Sequence, residues 1–235
     1  MLMRLKKLLN ACGYDVKKYH SPLNTTIRSL GIQTILDIGA NNGVFASHMR
    51  QEFPEAFIYA FEPLPDCFQE LQARHAQDIR FKAFSVALGD TAGEMTMEHN
   101  AFHPSSSLRP MSKLHKLLYP KTADARPETI RITRLDDLLA KEMLAPRILV
   151  KIDVQGYEDK VLAGGTAVMQ KVAAAIIEAS FVPLYEGQPL FNDICRIMDG
   201  LGFSYSGDMG RHYSRLTDKL LYEDALFIKK ELMSA

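Results

Sequence analysis

The stretch Thr34-Ile35-Leu36-Asp37-Ile38-Gly39-Ala40-Asn41-Asn42-Gly43 decides the fold. An apolar run ends at an acidic residue, breaks into a turn bounded by two glycines, and passes at once into an amphipathic segment. That pattern reads as the first strand, turn and helix of an open α/β sheet, which receives its ligand outside the carboxyl ends of its strands. Gly39 lets the backbone turn sharply and approach a ligand without a Cβ in the way. Gly43 allows close packing where the helix begins, and Asn41 is a residue type that tolerates the left-handed conformation. A second acidic end, Phe61-Glu62-Pro63, closes the next apolar run.

Working outward, strands and helices alternate. The first strand falls near Gln33–Ile38, and a helix follows from about Gly43 to Glu52, ended by Pro54. A second strand spans Ala56–Phe61. The next helix starts at Pro63 and Pro65, with Phe68, Leu71 and Ala76 on its buried side. Ile79–Leu88 carries a third strand, ending at Gly89-Asp90. The rhythm then changes: Glu94–Glu98 and Thr129–Thr133 alternate as antiparallel strand pieces. The irregular stretch between them is long for a connection in a compact domain and reads as a lid or binding loop. A short helix at Leu135–Met143 precedes a buried strand at Ile148–Val154, and another strand spans Ala173–Ala179. A helix at Pro189–Leu201 stops at Gly202, and the last strands are Phe203–Ser206 and Ala225–Lys229. Alternation of this kind predicts a mostly parallel sheet covered by helices on both faces, with the late strands adding an antiparallel edge.

Length and composition fit one such domain, residues 32–235, with an insert at about 94–133 and a helical appendage over residues 1–31 in which Ser21 caps a second helix. Apolar residues make up 47% of the chain, enough for one core, and 28 Lys+Arg balance 28 Asp+Glu. A neutral chain offers no basic field for nucleic acid. Cys12, Cys67 and Cys195 lie far apart and form no CxxC pair, so neither a zinc knuckle nor a redox pair is expected, and a reduced, cytoplasmic setting fits. No apolar run is long enough to span a bilayer. The start is basic but lacks the continuous apolar core of a secretion signal. Leu2, Leu5, Leu8 and Leu9 can share a helical face beside Arg4, Lys6 and Lys7, which suits packing on the domain's flank or a weak contact at a membrane surface.

The crevice suits a methyl donor better than a dinucleotide. Its glycines lack the GxGxxG spacing that bares a helix start for a pyrophosphate. S-adenosylmethionine has no phosphate; its amino-acid end can be held by backbone groups of Gly39-Ala40-Asn41-Asn42-Gly43, with Asp37 taking the ammonium directly or through water. Glu62, 25 residues after Asp37, can accept from both ribose hydroxyls. Pro63 follows it, and Ala87 and Leu88 in the turn Ser85–Asp90 can line an adenine slot. Asp37 could instead cap the helix behind it.

These segments resemble the FkbM-type S-adenosylmethionine-dependent methyltransferases. The resemblance rests on Leu36–Gly43, Ala60-Phe61-Glu62-Pro63, Val86-Ala87-Leu88-Gly89, Ile132–Leu138 and Val150-Lys151-Ile152-Asp153-Val154-Gln155-Gly156-Tyr157-Glu158, followed by Val161-Leu162-Ala163-Gly164-Gly165. It runs from about Gln33 to Phe227, and the family often carries glutamate where this chain has Gln155. It implies a class I, Rossmann-like methyltransferase fold with a seven-stranded sheet, and O-methylation of a sugar, polysaccharide or secondary-metabolite hydroxyl.

Methyl transfer from a sulfonium needs alignment, worth roughly 7–11 kcal/mol in favourable cases, and a base for the acceptor's proton, worth about 10²–10⁴-fold. Asp153, at the end of a central strand, is the first choice for that base. Lys151, two residues earlier on the same sheet face, can pair with it or orient a neighbour. Glu158 can cap the next helix or serve the site. Glu178 ends the following strand and can face the acceptor. Asp153 and Glu178 offer hard oxygen ligands, but two carboxylates do not specify a metal, and none is assigned. His99, with His103 as a further choice, is the alternative base from the insert. Ser105–Ser107 can hydrogen-bond the acceptor or form a polar turn, and Phe181–Gln188 can wall the acceptor pocket. The competing readings are a nicotinamide-dependent oxidoreductase, disfavoured by the missing third glycine and the absence of a Tyr-x-x-x-Lys pair, and a nucleoside-binding module without catalysis.

Overall fold

A computed structural model describes residues 25–100, 106–122, 125–214 and 216–233. Seven strands form the central sheet: β1 (Thr34–Ile38), β2 (Phe57–Phe61), β3 (Phe81–Phe84), β7 (Ile148–Ile152), β8 (Val172–Ser180), β9 (Phe203–Tyr213) and β10 (Leu220–Lys229). Their order is β3-β2-β1-β7-β8-β10-β9. β10 runs antiparallel to both its neighbours, and the pairings from β3 through β8 are parallel. From β1 the chain winds one way through β2 and β3, then returns to lay β7 on the other flank of β1. The strand order therefore reverses between β1 and β7, which opens a crevice at their carboxyl ends.

β1 and β7 read as near-continuous apolar runs because both sheet faces are covered. On one face, Ile35, Ile58, Leu149 and Ile176 pack with Ala46 and Met49 of helix α2 (Val44–Glu52) and with Ile27 of α1 (Thr25–Ser29). On the other, Leu36, Ile38, Val150, Ile152 and Ile177 pack with Val161 and Leu162 of α6 (Glu158–Gly164) and with Ile194 and Met198 of α8 (Phe191–Gly200). Leu135 of α5 (Leu135–Leu138) and Met169 of α7 (Thr166–Met169) complete that layer. The expected mostly parallel α/β sheet with helices on both faces is present.

Several boundaries differ from the sequence expectation. The single strand expected over Ile79–Leu88 divides into β3 and β4 (Ala87–Leu88). Val86 N–H donates to Phe84 O at 3.1 Å, an i to i−2 kink that redirects the chain. β4 then joins a second sheet of order β4-β6-β5. There β5 (Gly93–Asn100) and β6 (Ala125–Thr133) pair antiparallel as expected, over a longer span, from Gly93↔Ile132 to Asn100↔Ala125. The helix expected over Leu135–Met143 stops at Leu138 and continues as tight turns, with Ala140 N–H on Asp137 O and Glu142 N–H on Leu139 O. The last two strands extend well beyond Phe203–Ser206 and Ala225–Lys229. β10 is not an edge strand but lies between β8 and β9, and β9 forms the edge. The outer part of β9 is polar and largely exposed, so no apolar alternation marks it as a strand.

Between β5 and β6 lie α4 (Lys113–Leu118) and a 3₁₀ turn at Pro120–Thr122, and α3 (Pro65–Arg74) links β2 to β3. Ile27 and Leu30 are buried in the core beneath α2. The amphipathic leucine segment and the Ser21 cap lie outside the described residues. Among those described, no helix is long and apolar enough to cross a membrane.

Candidate active site

The crevice holds a cavity of about 510 Å³ at the carboxyl ends of the central strands. Gly39 takes φ +78°, and a Cβ there would lie 1.9 Å from Asp153 O. The turn after β1 is thus pressed onto the chain leaving β7, where Asp153 N–H donates to Ile38 O at 3.0 Å. Gly39 and Ala40 N–H both donate to Phe61 O at 3.0 Å. These bonds present Gly39, Ala40, Asn41 and Asn42 to the cavity. Asn41 adopts the left-handed φ of 48° anticipated for it.

Glu62 is the fixed point of this wall. Its Oε2 accepts from Asn41 N–H and its Oε1 from Leu64 N–H, both at 2.9 Å. Each carboxylate oxygen keeps a second lone pair, and the side chain lines the cavity. Burial pushes the carboxyl up to about 7, against the pull of the two backbone N–H groups. Pro63, Ala87 and Leu88 also line the cavity, beside apolar Ile38, Phe61 and Val86.

Two residues of the turn stand elsewhere. Gly43 is off the cavity: with φ +81°, its missing Cβ makes room for Leu71 Cδ1 and His75 Nε2, which would lie 2.7 and 2.9 Å from one. Asp37 is fully buried and does not line the cavity, which corrects the expectation of a direct contact with a ligand. Its place in the pleat explains this: Asp37 lies on β1 beside Lys151 of β7, on the face that packs toward α2. Burial raises its carboxyl to about 6, opposed by the Lys151 ammonium.

At the end of β7 a connected polar group faces the cavity. Lys151 Nζ donates to Asp153 Oδ2 at 2.9 Å. Gln155 Nε2 lies 2.9 Å from both Asp153 Oδ1 and Glu178 Oε1, and Tyr185 Oη donates to Gln155 Oε1 at 2.8 Å. Burial pushes the Asp153 carboxyl up, but the Lys151 charge and the hydrogen bonds from Lys151 and Gln155 outweigh it, leaving Asp153 below its ordinary range. Burial pulls the Lys151 ammonium down, and Asp153 and Asp37 reverse this to a net rise. Glu178 is held well above the carboxylate range by burial and by Asp153. Lys151 and Asp153 are therefore a charged pair at neutral pH, and the Glu178 carboxyl beside them is shifted toward its protonated form.

Glu158 lies off the cavity, where its Oε1 accepts from Val154 and Gly156 N–H at 3.2 and 3.0 Å. It braces the loop in which Gln155 and Gly156 both take positive φ. His99, expected as an alternative base, is not at the cavity. It is buried beside α3, with Nε2 3.2 Å from Asp66 and Nδ1 against Arg126. It shares a strand face with Met97, which lines the cavity, but sits one pleat repeat further along β5, beside Asp66 of α3. His103 and Ser105 lie outside the described residues. Ser106 lines the cavity, whereas Ser107 Oγ donates to Gln155 O at 2.6 Å. Of Phe181–Gln188, Leu184 reaches the cavity, while Phe181 stacks on Phe191.

Sequence reasoning missed His115 and Tyr119 from the insert, and His212, Tyr222 and Asp224 from β9 and β10, all of which line the cavity. Asp224 is directly opposite Glu178 in the β8–β10 pairing. The one available signal was the acidic pair Glu223-Asp224 in the middle of a mostly apolar strand.

The sheet order and the crevice at its reversal are those of the class I methyltransferases. A crystal structure of methyltransferase FkbM from Methylobacillus flagellatus KT superposes with a TM-score of 0.50 at 13% identity, covering 84% of this chain and 44% of that one. The family model for the methyltransferase FkbM domain matches residues 37–205. The 2-O-methyltransferase NoeI of Sinorhizobium fredii is 32% identical over 205 residues, 80% of this chain and 82% of that protein. The 31-O-demethyl-FK506 methyltransferase FkbM of Streptomyces tacrolimicus is 29% identical over 161 residues, 55% of this chain and 58% of its own length. The chain belongs to the FkbM methyltransferase family.

Proposed function

We propose that the protein is an S-adenosylmethionine-dependent O-methyltransferase that acts on a hydroxyl of a sugar or secondary metabolite. The observation that carries this reading is Glu62, a buried carboxyl aimed by two backbone N–H groups into the same cavity that Asp153 faces. Relatives named for 2-O and 31-O methylation support oxygen as the receiving atom.

The residues fit the donor. Glu62 has the free lone pairs to accept from two ribose hydroxyls. The Gly39–Asn42 backbone can hold the amino-acid end, and the apolar Val86–Leu88 wall suits adenine. Bound S-adenosylmethionine would supply the methyl group and the sulfonium that leaves as a thioether. Asp153 would accept the hydrogen of the acceptor's hydroxyl, leaving that oxygen free to take the methyl group. Lys151 and Gln155 hold that carboxylate in place and ionised. Asp37, behind the wall, acts through Lys151. The balanced net charge of the chain fits a small-molecule or glycosyl acceptor in the cytoplasm.

Calorimetry with S-adenosylhomocysteine tests the reading. Saturable binding is expected, weakened at least about tenfold in Glu62→Ala through the lost charge-assisted hydrogen bonds. Absence of heat at millimolar ligand would remove the donor assignment.

A further inference from the structure

The cavity has a second wall that the donor reading leaves unused. It is built from α4, β8, β9 and β10, on the far side of β7 from β1 and β2. His115 on α4 is 3% exposed. Its Nε2 is 3.2 Å from Thr122 Oγ1, and that hydroxyl donates its one hydrogen to Tyr119 O at 2.7 Å. Thr122 Oγ1 can therefore only accept from the ring, which puts the imidazole hydrogen on Nε2. Nδ1 is left as a buried lone pair with no hydrogen-bond partner. Burial lowers the His115 pKa to about 4, so the ring is neutral at physiological pH. Glu178, also on this wall, has its carboxyl raised by burial and by Asp153, and its Oε1 accepts from Gln155 Nε2 at 2.9 Å. The carboxyl oxygens of Asp153, Glu178 and Asp224 can accept from the hydroxyls of a ligand in the cavity. Tyr119 and Tyr222 add aromatic surface, and His212 stacks on Tyr222 with centroids 4.4 Å apart.

Charge narrows the choice of ligand. Lys151 is the one lysine or arginine among the described lining residues, and Asp153 holds its ammonium. Asp153, Glu178 and Asp224 all face the cavity. An anion brought here would be desolvated without a free cation to pair with, beside carboxyl groups.

Resting on the methyl-transfer reading, we propose that this wall is the acceptor subsite and takes an uncharged, hydroxyl-bearing ring. Glu178 and Asp224 accept from its hydroxyls, His115, Tyr119 and Tyr222 form its seat, and acceptors carrying phosphate or carboxylate next to the methylated hydroxyl are rejected.

The test measures binding of methyl hexopyranosides to the full chain saturated with S-adenosylhomocysteine, against the matching 6-phosphates and uronates, by saturation-transfer NMR and calorimetry. Neutral rings should bind at least about tenfold more tightly than their charged counterparts. Asp224→Asn should narrow that gap several-fold. His115→Phe should weaken the neutral series while leaving S-adenosylhomocysteine binding in place. Equal or tighter binding of the phosphates or uronates would overturn the proposal, as would failure of every neutral ring to bind. Failure of the donor assignment shows separately, as loss of S-adenosylhomocysteine heat.

Discussion

At Gly39 two independent constraints meet: a left-handed φ of +78° and a β7 carbonyl that stands where a Cβ would project. Gly39→Ala should therefore destabilise the protein by about 3 kcal/mol or more, read from the urea midpoint, because the obstacle is backbone that cannot rotate aside. Glu158 gives a pH-dependent prediction. Its carboxyl is pushed up from 4.5 to about 7 by burial, so the native chain holds that proton more tightly than the unfolded chain does. The stabilisation is complete below 4.5 and disappears as pH rises to about 7. Glu158→Gln keeps the shape and does not titrate. Urea denaturation at pH 4.5 and pH 8 should show wild type losing up to about 3 kcal/mol relative to the variant. Such residues differ in how far the sequence reveals them. Glu62 is legible because it follows the last strand residue, where any side chain meets the crevice. Asp37 is one pleat position inside β1, and only the register with Lys151 shows that it faces α2.

At the scale of elements, the insert is tied down by a few polar contacts. Arg109 Nη2 lies 2.9 Å from both oxygens of Asp159 at the start of α6. Ser107 donates to Gln155 O, Ser112 donates to Pro183 O at 2.7 Å, and Met111 bridges Tyr185. Asp159→Ala removes the bidentate partner from a guanidinium that is 14% exposed. Hydrogen exchange measured by mass spectrometry should accelerate across residues 106–118, with a global stability loss of only about 1–2 kcal/mol. Unchanged exchange there would mean the neighbouring contacts suffice. The two strands flanking this insert were legible because each alternates over five or more residues. α4 was not, since its six residues are too few for a helical period to stand out. The outer half of β9 escaped for a different reason: its pairing is main-chain, and its side chains carry no apolar pattern.

For the molecule as a whole, the fold was readable from the alternation of elements, but half of the cavity was not. Glu178 and Asp224 are distant in sequence and become neighbours only because β10 enters antiparallel between β8 and β9. No local pattern encodes that juxtaposition, and the same holds for His115, delivered from the insert. A ligand bound to the turn after β1, the end of β2 and the end of β7 would link segments that must otherwise unfold together. Its binding free energy should therefore appear as global stability. At one hundred times its dissociation constant, S-adenosylhomocysteine should add about 2.7 kcal/mol. For a chain of this size that is a rise in Tm of roughly 5–10 °C. The shift should grow with ligand concentration, fall by about half or more in Glu62→Ala at the same concentration, and persist in Glu158→Gln, whose carboxyl lies off the cavity. A shift equal in wild type and Glu62→Ala would place the ligand elsewhere on the molecule.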